Sequence, residues 1–151
     1  MPIYEFGPNS IARVEATTFA AIGLLERHDI QRLLREDIGV IAPDTMVIAE
    51  EYAEWTDSKR RIDLLALDKE ANLVVIELKR TEDGGNMDLQ AVRYAAMVSR
   101  MRFEQAVNVY SQYLSGTGKS GDDAGQRILD FLGWPEPLED KFAKDVRIVL
   151  A

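Results

Sequence analysis

The 151-residue sequence contains no cysteine and a single histidine, His28. The absence of cysteine excludes disulfides and thiolate metal sites, and one histidine cannot build a multi-histidine zinc centre. It also makes any serine–histidine–aspartate triad depend on that one residue. A metal site in this chain would therefore be built mostly from oxygen ligands, which favours Mg2+ or Mn2+.

Long apolar runs and targeting segments are also missing from the sequence. No stretch approaches the roughly 20 apolar residues that a transmembrane helix needs, so we expect no membrane partner. The N-terminal segment MPIYEFGPNS lacks the basic and apolar regions of a signal peptide, so cytoplasmic residence is the expectation. The net charge of −8 argues against a general polyanion-binding surface, although basic residues crowd the middle of the chain and allow a local basic groove.

The first half of the sequence changes from helical to extended patterns. Residues 1–10 resemble an irregular lead-in, and helical spacing extends from Ser10 to Glu36, with Asp29 as a cap between two helices. Apolar segments bounded by turn residues then predict three strands. The second and third are joined by DKEAN, a short polar connection suited to an antiparallel hairpin. The three predicted strands are Thr45–Tyr52, Ile62–Leu67 and Leu73–Lys79.

Helical patterns follow the third predicted strand. We expect a helix that begins at Asn86 or Asp88. Its expected inner side is formed by Leu89, Val92, Ala96 and Val98. Two further helices and a last strand complete the pattern, which predicts an α/β fold with a mixed central sheet flanked by helices. These later elements are Phe103–Leu114, Ala124–Leu132 and the strand Val146–Leu150.

Charged residues interrupt the buried strand patterns at two places. Asp63 lies between apolar neighbours, and Glu77 and Lys79 follow Val-Val-Ile directly. Burial of such charges is costly unless they are paired or bind something. A hairpin would bring Asp63 and Glu77 to one end of the sheet, and strand alternation places Glu77 and Lys79 on the same side. Two converging carboxylates can bind Mg2+, with Lys79 placed to hold a water or to stabilise charge on a phosphate.

The segments IDLL and VVIELKR, which spell D…ExK on adjacent predicted strands, resemble the PD-(D/E)XK nuclease superfamily. Ile62 stands where the motif name has proline. Gln90 lies 11 residues after Lys79, Tyr94 follows one helical turn later, and Glu26 occupies the place of the first-helix acid. With these matches the sequence is similar to the catalytic domain of NucS-type (EndoMS-like) endonucleases.

The resemblance spans about Leu25 to Met101 and the final strand, and it implies a restriction-endonuclease-like αβββαβ core in a single domain over residues 1–151. It implies a Mg2+- or Mn2+-dependent endonuclease of repair or restriction type, acting on single-stranded, branched or mismatched DNA. The separate N-terminal DNA-binding and dimerisation domain of those enzymes has no counterpart here, so the resemblance does not establish a preference for flaps or mismatches. A homodimer is left open. Because the chain ends at Ala151 within a predicted strand, we expect a fragment of a longer protein.

The resemblance also implies roles for individual residues. Two strand acids bind the metal, with the Leu78 backbone carbonyl and the first-helix acid assisting. The lysine serves the attacking water, and the glutamine and tyrosine position substrate or water. The implied catalytic residues are Asp63, Glu77, Lys79, Gln90, Glu26 and Tyr94. Basic residues near the site, which we expect to contact DNA phosphates, are Arg60, Arg61, Arg80 and Arg93.

Other interpretations of the same residues stay open at this point. An Asp63–Lys79 ion pair would satisfy both charges without a metal, and Glu26 can pair with nearby arginines on a solvated helix surface. The alternative function is a catalytically inactive nuclease-fold module that binds nucleic acid or a partner protein. A third interpretation is a scaffold that stays inactive until a further strand or domain completes it.

Overall fold

The computed structural model describes residues 1–24, 28–53, 61–78 and 87–151. Within these ranges, none of the helices combines the length and hydropathy that a bilayer crossing requires. Two short 3-10 helices, Ala20–Ile22 and Ile38–Val40, accompany the longer elements. The helices and strands are β1 (Ile3–Phe6), β2 (Ile11–Val14), α1 (His28–Glu36), β3 (Thr45–Tyr52), β4 (Ile62–Asp68), β5 (Leu73–Glu77), α2 (Met87–Val98), α3 (Phe103–Gly116), α4 (Ala124–Leu132) and β6 (Val146–Leu150).

A four-stranded mixed sheet with the order β3-β4-β5-β6 organises the described residues. β3, β4 and β5 are antiparallel neighbours, and β6 returns parallel to β5. Residues 73–76 of β5 are fully buried because helical layers cover both faces of the sheet, which is why this strand is apolar at consecutive positions. The α/β class with a mixed sheet flanked by helices is confirmed, and it is consistent with a restriction-endonuclease-like core.

The two faces of the sheet carry separate hydrophobic cores. Leu65 and Val75 point to one face, where they pack with Tyr94 of α2 and with α3 and α4. Leu64 and Ile76 point to the other face, which α1 and the 3-10 segment after it cover. We call these the α2 face and the α1 face. Strand alternation therefore decides which helix layer each side chain of β4 and β5 meets.

The hairpin between β4 and β5 is confirmed at the predicted place and is held by Asp68, whose side chain is 1% exposed. Its Oδ1 accepts the backbone N–H groups of Glu70 at 3.0 Å and of Asn72 at 2.8 Å. Its Oδ2 accepts the Asn72 amide at 3.3 Å and the Arg147 guanidinium at 3.0 Å. The carboxylate thus joins the turn to β6 at the end of the sheet that lies away from the predicted acids.

The N-terminal region differs from the prediction of a lead-in followed by helix from Ser10. β1 and β2 form an antiparallel pair with Ile3 opposite Val14, closed by a hydrogen bond from the Gly7 N–H to the Ser10 carbonyl at 2.8 Å. The Gly-Pro-Asn-Ser turn between two short segments explains the hairpin, which the helical interpretation overlooked. Asp29 lies within α1 and does not separate two helices.

The inner side of α2 also differs from the prediction. Val98 is buried as expected, but Leu89 and Val92 are 53% and 57% exposed. Ala91 and Tyr94 take the positions against the sheet, and together with Val98 they follow the helical spacing of one face. The small side chain of Ala91 is ambiguous in a hydrophobic pattern, so the larger leucine and valine misled the assignment.

Candidate functional site

The predicted acids lie at the end of the sheet where β4 begins and β5 ends. Asp63 is the second residue of β4, and Glu77 is the last residue of β5. The antiparallel register pairs Leu64 with Ile76, so the next step along both strands places Asp63 opposite Glu77. The strand pairing therefore brings together two carboxylate residues that are separated along the chain.

Both acids fall on the α2 face of the sheet. Leu65 and Val75, two positions away on the same strands, pack in the core of that face. Because side chains two apart on a strand share a face, Asp63 and Glu77 belong to it as well. Glu77 is only 4% exposed, whereas Asp63 is half-buried. A carboxylate as buried as Glu77 is stable only where charge or hydrogen bonds compensate its lost hydration.

The side chain of Asp63 is fixed by the backbone that follows Glu77. The N–H of Leu78 donates to Oδ2 of Asp63 at 2.8 Å. A hydrogen bond to a charged acceptor is stronger than a neutral one, so this contact sets the orientation of the carboxylate. An ionised carboxylate offers about four acceptor sites, and the contact is therefore compatible with cation binding by the same group.

Gln90 and Tyr94 lie in the first two turns of α2, the helix that covers the face of the two acids. The Gln90 Nε2 donates to the Tyr94 hydroxyl at 2.9 Å, so the two side chains share one side of the helix, as their spacing predicts. Tyr94 is 1% exposed and its ring belongs to the core. Its hydroxyl orients the half-buried Gln90 amide, which retains a second N–H and a carbonyl for other contacts.

A buried polar group that the sequence analysis did not single out lies behind Asp63. Gln31 of α1 is 4% exposed, and its Nε2 lies 3.0 Å from Oε1 of Glu50 and 3.3 Å from Oε1 of Glu51. The same Nε2 lies 3.4 Å from the backbone carbonyl of Asp63. Arg35, one helical turn later, pairs with Oε2 of Glu50 at 2.6 Å. No spacing in the sequence links these positions, because they come from three different elements.

Charges and burial shift the pKa values of groups around Glu50. The hydrogen bond from Arg35 to Glu50 raises the pKa of the arginine despite partial burial, which acts in the opposite direction. Burial raises the pKa of the Tyr113 hydroxyl, and the nearby Arg35 charge partly opposes this shift. α1, β3 and α3 are thus joined electrostatically at the β3 side of the sheet.

Of the remaining predicted residues, two are exposed arginines and four lie outside the described ranges. Arg61, just before β4, and Arg93, on α2, are both exposed. The structure thus brings Asp63, Glu77 and the Leu78 backbone together, with Gln90 and Tyr94 on the covering helix. Predicted residues that lie outside the described ranges are Glu26, Arg60, Lys79 and Arg80.

The donor set at this end of the sheet consists of oxygen atoms. In the described ranges, no three histidine, aspartate or glutamate side chains form a group able to hold a metal ion. A cation here would use Asp63, Glu77 and the Leu78 carbonyl, and water or substrate would complete its shell. Hard oxygen donors of this type suit Mg2+ or Mn2+, so the residues fit the expected metal.

Comparison with curated proteins gives one reported match. Over 143 residues, 29% are identical to Endonuclease NucS of Methanopyrus kandleri. The chain is similar to an endonuclease. The match covers 91% of this chain and 51% of the relative, so the chain spans about half the length of that curated protein. No family model matches the sequence, and no solved structure matches it.

The similarity to Endonuclease NucS includes the candidate site. A match over 91% of the chain spans β4, β5 and α2, which carry the two acids and the Gln90–Tyr94 pair. The same interval includes α1 and β3, which contribute the Gln31 and Glu50 contacts behind Asp63. The likeness is therefore not confined to a peripheral element of the fold.

Proposed function

We propose that this protein is a divalent-metal-dependent endonuclease that hydrolyses DNA phosphodiester bonds. The observation that carries the proposal is the placement of Asp63 opposite Glu77 on one face of the sheet, with the Leu78 N–H fixing the Asp63 carboxylate. Similarity to Endonuclease NucS supports the nuclease class. As substrate we propose single-stranded, branched or mismatched DNA.

The two acids and the Leu78 carbonyl would hold Mg2+ or Mn2+. When bound, the cation supplies Lewis-acid stabilisation of phosphate charge and lowers the pKa of a coordinated water. The protein contributes a carboxylate that is already oriented by Leu78, so little reorganisation is needed during the reaction. Glu77 is almost fully buried, so bulk water does not reach this side of the site. Electrostatic interactions are stronger there because less water screens them.

Other residues would bind and orient the substrate. Gln90, held by the Tyr94 hydroxyl, would direct its second N–H or its carbonyl toward a water or a phosphate oxygen. Lys79 follows Leu78 in the sequence, and its role in holding the attacking water is proposed from that position alone. The exposed Arg61 and Arg93 would contact backbone phosphates and position the strand without selecting its sequence.

The proposal is tested by incubating the protein with linear duplex, single-stranded, branched and mismatched DNA. Each substrate is tested with Mg2+, with Mn2+ and with a chelator. Wild type is expected to cut with metal, and Lys79→Ala and Glu77→Gln are expected to lower the rate by about 100-fold or more. Wild-type cleavage no greater than that of Lys79→Ala would contradict the proposal.

A second candidate is a nuclease-fold module that binds nucleic acid or a partner protein without cutting. The net charge of −8 favours the form that binds a partner protein, because an acidic surface weakens the general attraction of DNA. Calorimetry separates the candidates. Absence of Mg2+ and Mn2+ binding by a folded protein would favour the binding module, whereas binding that Asp63→Asn removes would favour the nuclease.

A further inference from the structure

Gln31 is a polar side chain in an almost fully buried position. It is 4% exposed, and its Nε2 faces Glu50, Glu51 and the Asp63 carbonyl at 3.0, 3.3 and 3.4 Å. All three neighbours are acceptors, so the amide must direct its N–H groups toward them. A buried amide loses its hydration and depends on such contacts, which makes Gln31 a point where three segments are joined.

The β3 segment of this cluster has an unusual backbone conformation. Glu50 pairs with Leu64 and Tyr52 with Ile62, so Glu51 lies across from Asp63 on the side away from Glu77. Glu51 has a φ of 51°, a left-handed conformation that is unfavourable for a non-glycine residue. Its carboxylate nevertheless lies within 3.3 Å of the Gln31 amide. The strand thus adopts a strained geometry at the residue opposite the candidate metal-binding acid.

An arginine of α1 joins the same cluster through Glu50. Arg35 pairs with the other oxygen of the Glu50 carboxylate at 2.6 Å, so Glu50 links two side chains of α1. Asp63 is consequently held on two sides. Its backbone carbonyl faces Gln31 of α1, and its side chain accepts the Leu78 N–H at the end of β5.

We infer that Gln31 is a positioning residue for Asp63, acting from α1 through the backbone of β4. This inference rests on the proposed function, in which Asp63 binds the cation. Without the Gln31 donor, the Asp63 carbonyl and two glutamate carboxylates lose their shared partner, and the start of β4 is no longer fixed against α1. The Asp63 carboxylate then moves relative to Leu78 and Glu77, and the geometry that binds the cation is disturbed.

The test uses variants of similar length with different hydrogen-bonding ability. Gln31→Met keeps the volume but removes the donor. Gln31→Glu keeps the shape but adds a third carboxylate, which regains a donor only when protonated. Gln126→Met is the matched control. Gln126 is an exposed glutamine of α4 that donates to Asp130 at 2.7 Å, and it lies far along the chain from the residues of the candidate site.

Two measurements keep the inference separate from the nuclease proposal. The first is NMR hydrogen exchange of the Leu78 amide, normalised to the Val75 amide in the same strand, which needs no activity. Gln31→Met is expected to speed this relative exchange by about tenfold or more, because the Asp63 acceptor is displaced. The second is kcat for DNA cleavage, which is expected to fall by about 10–100-fold with KM nearly unchanged.

A pH profile distinguishes positioning from packing. The cleavage rate of Gln31→Glu relative to wild type is expected to rise as pH falls, whereas the relative rate of Gln31→Met stays constant. Relative Leu78 exchange in Gln31→Met equal to that in Gln126→Met would overturn the inference, whatever the activity. If wild type does not cut DNA, the proposed function fails, and the Leu78 amide alone still decides whether Gln31 positions Asp63.

Discussion

The N–H of Leu78 donates to Oδ2 of Asp63 at 2.8 Å, so the residue after one candidate metal ligand holds the side chain of the other. Glu77 precedes Leu78 directly and lies opposite Asp63 in the extended strand register. The two acids are therefore coupled through one backbone N–H as well as through the sheet. A change at either strand end alters the separation of both carboxylates.

Replacement of Asp63 by asparagine separates charge from structure. Asparagine keeps an oxygen that can accept the Leu78 N–H but lacks the negative charge that a cation requires. We expect DNA cleavage to fall by about 100-fold or more. The free energy of unfolding should change by no more than about 1.5 kcal/mol, the value of an ordinary hydrogen bond. Cleavage kinetics and urea unfolding measure the two effects.

Asp68→Asn is the matched control at the opposite end of β4. The variant places an amide against the Arg147 guanidinium and the Asn72 amide, which are also donors. Unfolding free energy should fall by about 1–3 kcal/mol, while cleavage at a temperature where the protein stays folded should remain near wild type. If folded Asp63→Asn and folded Asp68→Asn lost cleavage equally, the loss would come from a disturbed sheet and not from removal of the Asp63 charge.

Metal binding should stabilise the folded protein through Glu77. A ligand that binds only the folded state adds about 2.7 kcal/mol at 100 times its Kd. Thermal unfolding of wild type is therefore expected to shift upward with Mn2+ and to return with a chelator. Glu77→Gln should fold but show no shift, because the neutral amide is a poor ligand. A shift of the same size in Glu77→Gln would place the stabilising cation elsewhere.

Stability at alkaline pH should depend on Tyr113. Burial raises the pKa of its hydroxyl above the ordinary value of about 10. Above that ordinary value the unfolded state releases the proton while the folded state keeps it, so unfolding free energy falls as pH rises. Tyr113→Phe should reduce this loss, and Tyr110, whose pKa burial also raises, accounts for part of the remainder.

Urea unfolding gives the free energy of unfolding at about pH 8 and at about pH 11, and the effect is measured as the difference between these two free energies. A smaller difference in Tyr113→Phe than in wild type is the expected result. Identical differences in the two proteins would show that Tyr113 ionises equally in the folded and unfolded states.

The two central strands, β4 and β5, could be predicted from sequence because they are buried on both faces. Consecutive apolar residues mark β4 and β5, and the polar turn between them indicates their antiparallel pairing. The bounds of β3, α4 and β6 match the predicted ranges. Asp63 and Glu77 stood out for the same reason, since an acid within such a strand is costly to bury.

Other features could not be read from sequence spacing. β1 and β2 expose apolar residues such as Phe6 and Ile11, so burial gave no pattern to follow. The Gln31 contacts arise where α1, β3 and β4 meet, and only tertiary structure brings those positions together. The prediction of Glu26 as the first-helix acid falls outside the described residues, whereas Gln31 of α1 contacts the backbone carbonyl of Asp63.

The most direct test of the account is a crystal structure of the protein soaked with Mn2+, with the ion located by anomalous scattering. We expect a peak bound by carboxylate oxygens of both Asp63 and Glu77, at metal–oxygen distances of about 2.0–2.3 Å. A crystal with no peak at saturating Mn2+, or with the ion bound away from both acids, would contradict the assignment of this sheet end as a metal-dependent nuclease site.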